Sequence, residues 1–311
     1  ASCKKRFCPN FSKNRVSKIY NRIANMRKLI SGIFMSLFML MLNSQISVCK
    51  KKVGFGTQEE NRYPTRENTW IFLMAGQSNM AGRGIIEPQD TVTNKRILTI
   101  NSENKWVVAK EPLHFYEPNV AGLDCGMSFA GELIKHIPDS VTIAMIPCAV
   151  GGSSVFQWLN NEEYRGVKLF SNFREKVQLS KKKGIIKGIL WHQGERNANE
   201  TDLPEYKDAL LKLFAKFRAS IGNDKLPIIL GELGKFAQPK KKAKYFEYIN
   251  QIIRIVAEEG DHLHFVSSGG LEHNGDHLHF NSASQRELGR RYAKKYIEIY
   301  QFTESLPFDF E

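Results

Sequence analysis

The sequence predicts an α/β protein: a mostly parallel sheet of five strands covered by helices on both faces. Three observations predict it. Five short apolar runs punctuate the chain: 70–75 (WIFLMA), 141–150 (VTIAMIPCAV), 185–191 (IIKGILW), 226–233 (LPIILGEL) and 263–268 (LHFVSS). Amphipathic stretches of helical period separate them. Strands buried on both faces and joined by helices belong to parallel sheets rather than antiparallel ones.

The elements follow in order. Residues 1–49 read as a targeting segment. Met26-Arg27-Lys28 is a short positive region, and Leu29 to Leu42 is an apolar run of fourteen. That length suits a signal peptide and is short for a membrane span. The chain opens with Ala1, so residues 1–25 are either a long basic leader or translated upstream sequence. ISVC at 46–49 faintly matches a lipoprotein cleavage box at Cys49, with Val48 a poor fit. Signal cleavage with an unmodified tail is the competing reading. Both expect a secreted or periplasmic body. Membrane contact is then confined to a lipid anchor or an uncleaved signal segment. Residues 50–68 are polar and aperiodic, a linker. The folded domain is expected over 69–302, with a tail at 303–311.

Within the domain, RILTI and WVVAK, around 96–110, resemble a hairpin inserted after the first strand. Helical patterns occupy 127–137, 172–183, 204–221, 242–260 and 282–300. Ser282 and Gln285 have capping-box spacing at the start of the last.

Charge narrows the function. The formal net charge is +13, but residues 1–52 hold twelve Lys/Arg and no Asp/Glu. Thirteen less twelve leaves +1 on the body, which removes the main motive for nucleic-acid binding. Cys125 and Cys148 are the body's only cysteines. They would either pair in an oxidising compartment or stay buried as free thiols.

In parallel sheets, ligands bind at the carboxyl ends of the strands. GQSNMAGRG follows the first strand, GGSS the second and HQGE the third. The last strand leads into a loop bearing a histidine-rich hexapeptide. Four polar, glycine-bearing segments therefore converge on one edge. A hydroxyl nucleophile needs a base, an orienting acid and oxyanion donors. Ser78, just past the first strand, is the candidate nucleophile; a helix-capping serine is the plainer alternative. No G-x-S-x-G elbow occurs, which argues against an α/β-hydrolase.

GDHLHF occurs at 260–265 and again at 275–280. The first copy runs into a strand, where residues three apart point to opposite faces. Asp261 and His264 are therefore read as structural. The second lies in a loop, where Asp276 can curl back to His279 and leave the other ring nitrogen for Ser78. His273, Asp276, His277 and His279 would also make a zinc-like donor set. That reading leaves Ser78, Gln193 and the glycines without a task, so no cofactor or metal is expected.

GQSNMAGRG, CAVGGSS, WHQGE and DHLH, in that order, resemble the blocks of the SGNH hydrolase superfamily. The nearest branch is the sialate O-acetylesterase and carbohydrate esterase family 6 group, which includes acetyl xylan esterases. The resemblance covers roughly 68–300. It implies a flavodoxin-like three-layer α/β/α sandwich and metal-free removal of acetyl groups from acetylated oligo- or polysaccharide. By position, Ser78 resembles the nucleophile, His279 the base and Asp276 the orienting acid. The N–H groups of Ser78 and Gly152 and the Gln193 amide resemble the oxyanion donors. Glu195 is an auxiliary acid or a structural carboxylate. Gln77 and Arg83 are candidate substrate contacts, with a surface salt bridge the alternative for Arg83. Trp158 and Trp191 are either sugar-stacking faces or core. A broader lipase or thioesterase, and a non-catalytic carbohydrate-binding protein, remain as alternatives on the same fold.

Overall fold

A computed structural model of the chain describes residues 64–304. The expected targeting segment, Cys49, nearly all of the linker and the residues after 304 lie outside the described residues.

The strands are β1 (Thr69–Gly76), β2 (Ile97–Ile100), β3 (Trp106–Val108), β4 (Thr142–Pro147), β5 (Glu163–Tyr164), β6 (Val167–Lys168), β7 (Ile185–His192), β8 (Ile228–Gly231) and β9 (Leu263–Val266). The helices are α1 (Ser78–Ala81), α2 (Gly126–Leu133), α3 (Val155–Leu159), α4 (Leu169–Lys183), α5 (Leu203–Ile221), α6 (Lys240–Glu259) and α7 (Ser282–Glu304). Among the described residues, no helix is long and apolar enough to cross a membrane.

The central sheet has seven strands, in the order β3-β2-β4-β1-β7-β8-β9, rather than the expected five. All neighbours are parallel except β2 and β3. The two extra strands are the hairpin. Ile97 and Leu98 pair parallel with Ile143 and Ala144 of β4, so the hairpin extends the sheet instead of decorating it. Its first strand is only four residues long. Between polar loops, so short an apolar run carries no period that separates a sheet member from an insertion.

β1 is buried at every position, as a strand covered on both faces must be. On one side Phe72 meets Phe129 of α2 and Tyr296 of α7, ring centroids 4.8 Å apart in both pairs. On the other, Trp191 of β7 sits against Trp158, Phe214 and Phe217 of α3 and α5. Trp158 and Trp191 are fully buried. They are core, and the sugar-stacking reading falls. Edge-to-face rings of this kind contribute about 0.5–1.5 kcal/mol beyond their buried area.

From β1 the chain runs to β2 and β3 at one edge, comes back to β4 beside β1, and then crosses to β7 on the other side of β1. The strand order reverses at β1, and ligands settle at such a switch point. Ser78 begins immediately after it.

One local expectation changes, and one open alternative is decided. The cap of α7 is Asn281, whose Oδ1 accepts the Ser284 N–H at 2.8 Å. Ser282 Oγ donates instead to Ile85 O, and Gln285 Nε2 donates to Asn79 O, so both would-be capping partners tie the helix to the β1 loop. Cys125 and Cys148 are free and buried, not paired. Burial pushes both thiols up, Cys148 to about 12.

Candidate active site

Four loops from the carboxyl ends of β1, β4, β7 and β9 meet around a cavity of about 460 Å³. Ser78 opens α1 and lines the cavity. His279 Nε2 lies 2.9 Å from Ser78 Oγ, and His279 Nδ1 lies 2.6 Å from Asp276 Oδ2. The second hexapeptide makes this arrangement locally. Gly275 at φ +113° and His277 at φ +57° turn the chain. Asp276 Oδ1 then accepts the N–H groups of Leu278 and His279, both at 2.8 Å. The same carboxylate therefore shapes the loop and orients the ring.

The electrostatics suit a base. Burial pushes the His279 pKa below its ordinary value; Asp276 opposes this, while the charges of Arg83 and Lys242 add to it. The ring is neutral at neutral pH, able to accept the serine proton. Burial works to raise the Asp276 pKa, but the hydrogen bonds from His279 and Leu278 hold it below the usual carboxylate value.

The N–H groups of Ser78 and Gly152 have no acceptor among the described residues. Gly152 adopts φ +78°, a left-handed conformation that β-branched and bulky residues avoid. Both residues line the cavity, as do Gln77 and Arg83. Gln77 Oε1 accepts from Gln193 Nε2 and from Arg196 N, each at 3.2 Å.

Gln193 stands elsewhere than the resemblance implied. It is fully buried and absent from the cavity wall. Its Nε2 donates to Asn197 Oδ1 at 2.6 Å and to Ser153 O at 3.2 Å, while its Oε1 accepts from Tyr206. The amide is used up inside the protein. Glu195 does not reach His279 either. Its Oε1 accepts from Asn79 Nδ2 at 2.6 Å, and burial raises its pKa against that hydrogen bond. The orienting contact on His279 belongs to Asp276. Behind them His192 is fully buried, its pKa pushed down to about 3 by that burial.

The donor set His273, Asp276, His277 and His279 is not assembled. His273 Nδ1 accepts the N–H groups of Gly275 and His277, while Asp276 and His279 bind each other. Among the described residues, no group of three or more His, Cys, Asp or Glu is arranged to hold a metal.

Two residues escaped the sequence reading. Asn79 joins three loops: Nδ2 donates to Glu195 and to Leu278 O, and Oδ1 accepts the Phe280 N–H. Its place beside Ser78 was the one available signal. Glu117, on the long segment before α2, accepts from Arg83 and from Gly151 N. No period or motif marked it.

The family model described as carbohydrate esterase, sialic acid-specific acetylesterase matches residues 68–298. A probable carbohydrate esterase of Arabidopsis thaliana is 28% identical over 228 residues, 65% of this chain and 86% of that protein. A solved structure from Arabidopsis thaliana superposes with a TM-score of 0.65 at 28% identity, covering 75% of this chain and 98% of the other. The crystal structure of NanS gives a TM-score of 0.63 at 16% identity, covering 76% and 99%. A carbohydrate acetylesterase from Xanthomonas citri gives 0.53 at 17%, covering 77% and 57%. These last two share the fold.

Proposed function

The chain belongs to the carbohydrate esterase, sialic acid-specific acetylesterase family, and from that premise we propose that it deacetylates sugars bearing a carboxylate, with Ser78 as nucleophile. It is a carbohydrate O-acetylesterase. The observation that carries the assignment of roles is the unbroken contact from Asp276 through His279 to Ser78, the last two on the cavity lining.

His279 Nε2 takes the Ser78 proton as Oγ attacks the acetyl carbonyl. The developing oxyanion meets the N–H groups of Ser78 and Gly152. The sugar hydroxyl leaves with the proton from His279, and water then cleaves the acetyl-enzyme using the same base. Oxyanion donors of this kind are each worth about 3–4 kcal/mol of barrier. Gln193 serves this site from behind, holding Ser153 O and Gln77.

The acidic sugar is supported by charge. Arg83, Arg165, Arg196 and Lys242 all line the cavity. Arg83 and Arg165 are paired with Glu117, whereas Arg196 and Lys242 have no carboxylate partner among the described residues. Two cations outside any ion pair, set against Glu195 as the carboxyl on the cavity lining, favour an O-acetylated sialic acid over a neutral acetylated xylan. The apolar run at 29–42 and the basic residues before it support a secreted or periplasmic location, with Cys49 as the anchor if one is present.

Acetate release from O-acetylated sialic acid and acetylated xylooligosaccharides tests the reading. The acidic sugar should react with the higher kcat/KM, and Ser78→Ala should lose about 10⁴-fold or more. Preference for the neutral xylan would sink the acidic-sugar reading. Turnover by Ser78→Ala would sink the nucleophile.

A further inference from the structure

We propose that Glu117 is the positioning residue of the oxyanion site: its carboxylate clamps the Gly151–Gly152 turn to Arg83 and so aims the Gly152 N–H into the cavity. The proposal rests on the acyl-transfer reading of Ser78.

Glu117 touches each loop that must keep its register for that N–H to be useful. Oε2 accepts the Gly151 N–H at 2.6 Å and Arg83 Nη2 at 2.8 Å. Oε1 accepts from Arg165, at the turn between β5 and β6. Arg83 Nη1 in turn donates to Gly82 O at 2.7 Å, which ties the clamp to the loop that begins with Ser78. The Glu117 and Arg83 side chains are only 7% and 11% exposed, so water does not compete freely for these bonds.

The geometry explains why residue 151 is glycine. A Cβ there would sit 2.2 Å from Arg83 Nη2 and 2.4 Å from Glu117 Oε2. The backbone must come that close for its N–H to reach the carboxylate. The next peptide then turns, at Gly152, to present an N–H with no acceptor among the described residues. Burial works to raise the Glu117 pKa, but the two arginines and the Gly151 N–H hold it below the usual value, so the clamp stays charged. A neutral amide of the same shape would present one oxygen and one NH₂ group. The NH₂ cannot accept from an arginine or a peptide N–H.

The test uses Glu117→Gln and Gly151→Ala, which break the clamp from opposite sides, with 4-nitrophenyl acetate as a small uncharged probe. Misplacing one oxyanion donor should lower kcat about 10- to 100-fold, less than outright loss of the donor. KM should stay within about twofold. Phosphorylation of Ser78 by diethyl 4-nitrophenyl phosphate should slow by a similar factor, because it develops charge on the same donors. The acid limb of the pH profile should keep its position in Gly151→Ala and shift to lower pH in Glu117→Gln, where the Arg83 charge that disfavours protonated His279 loses its paired carboxylate. A loss confined to KM, or wild-type kcat in both variants, overturns the proposal. Turnover of the probe by Ser78→Ala overturns instead the acyl-transfer reading, and the clamp with it. If Glu117→Gln folds poorly by circular dichroism, Gly151→Ala decides on the same readouts.

Discussion

Gly260–Phe265 and Gly275–Phe280 have identical sequences and begin alike. In each, the third residue, His262 or His277, takes a left-handed φ, +55° and +57°. They then part. The first copy enters β9, where His264 pairs in register with Ile229. The second never pairs as a strand beyond a single bridge, between His273 and Phe280. Its Asp276 folds onto its own loop and reaches His279. The Asp261 carboxylate makes no hydrogen bond to His264, and its backbone O accepts from Arg218. A hexapeptide thus encodes a turn but not a dyad. The dyad comes from what lies next: a vacant strand position beside β8 in one case, and Asn79 in the other. Asn79 accepts the Phe280 N–H and donates to Leu278 O, holding the second copy off any sheet.

The largest effect that could break this contrast is on turnover. His279→Ala should lower kcat/KM for an acetyl ester by about 10⁴-fold or more, as loss of a proton-transferring base does. His264→Ala should stay within about twofold. Comparable losses in the two variants would mean that the copies are not functionally distinct.

Much of this was legible before any coordinates. Strands buried on both faces are continuous apolar runs, and the residues just after them must lie at the sheet's carboxyl edge. That logic put Ser78, Gly152, Asp276 and His279 at one edge of the sheet, and the structure places them together there. It failed where the answer depends on a partner distant in sequence. Gln193 looked like an oxyanion donor until Asn197, Ser153 and Tyr206 were seen to occupy its amide. Glu195 looked like a rival to Asp276 until Asn79, 116 residues earlier, was seen to hold it. Glu117 sits in an aperiodic segment and acts on residues 34 positions away in both directions, which no local pattern reports.

A smaller effect sharpens the contrast through the two leucines at the fourth position. Leu263 is 4% exposed in β9. Leu278 is half-buried on the cavity wall. Leu263→Ala should cost about 2–3 kcal/mol in urea unfolding, through lost burial and a residual void. It should leave the kinetics of the folded enzyme unchanged. Leu278→Ala should cost less than about 1 kcal/mol and raise KM for the sugar ester. The same stability loss in both would show that the loop copy is also core.

The smallest effect separates the copies by charge. Both histidines have pKa values pushed down, first by burial and then by nearby cations: Arg83 and Lys242 for His279, Lys295 and Arg218 for His264. Asp276 opposes the shift at His279, and Glu298 opposes it at His264. On the proposed mechanism turnover requires neutral His279, so activity should rise with pH through the His279 pKa and be lost as pH falls below it. Lys242→Gln removes a cation that disfavours the protonated ring. It should therefore raise the His279 pKa and move the acid limb of kcat to higher pH. Lys295→Gln should raise the His264 pKa by the same physics, visible in its ring proton shifts by NMR, and leave the acid limb where it was. If Lys295→Gln moved the limb instead, the titration governing activity would belong to the strand copy, and the base would have to be sought at the other end of the repeat.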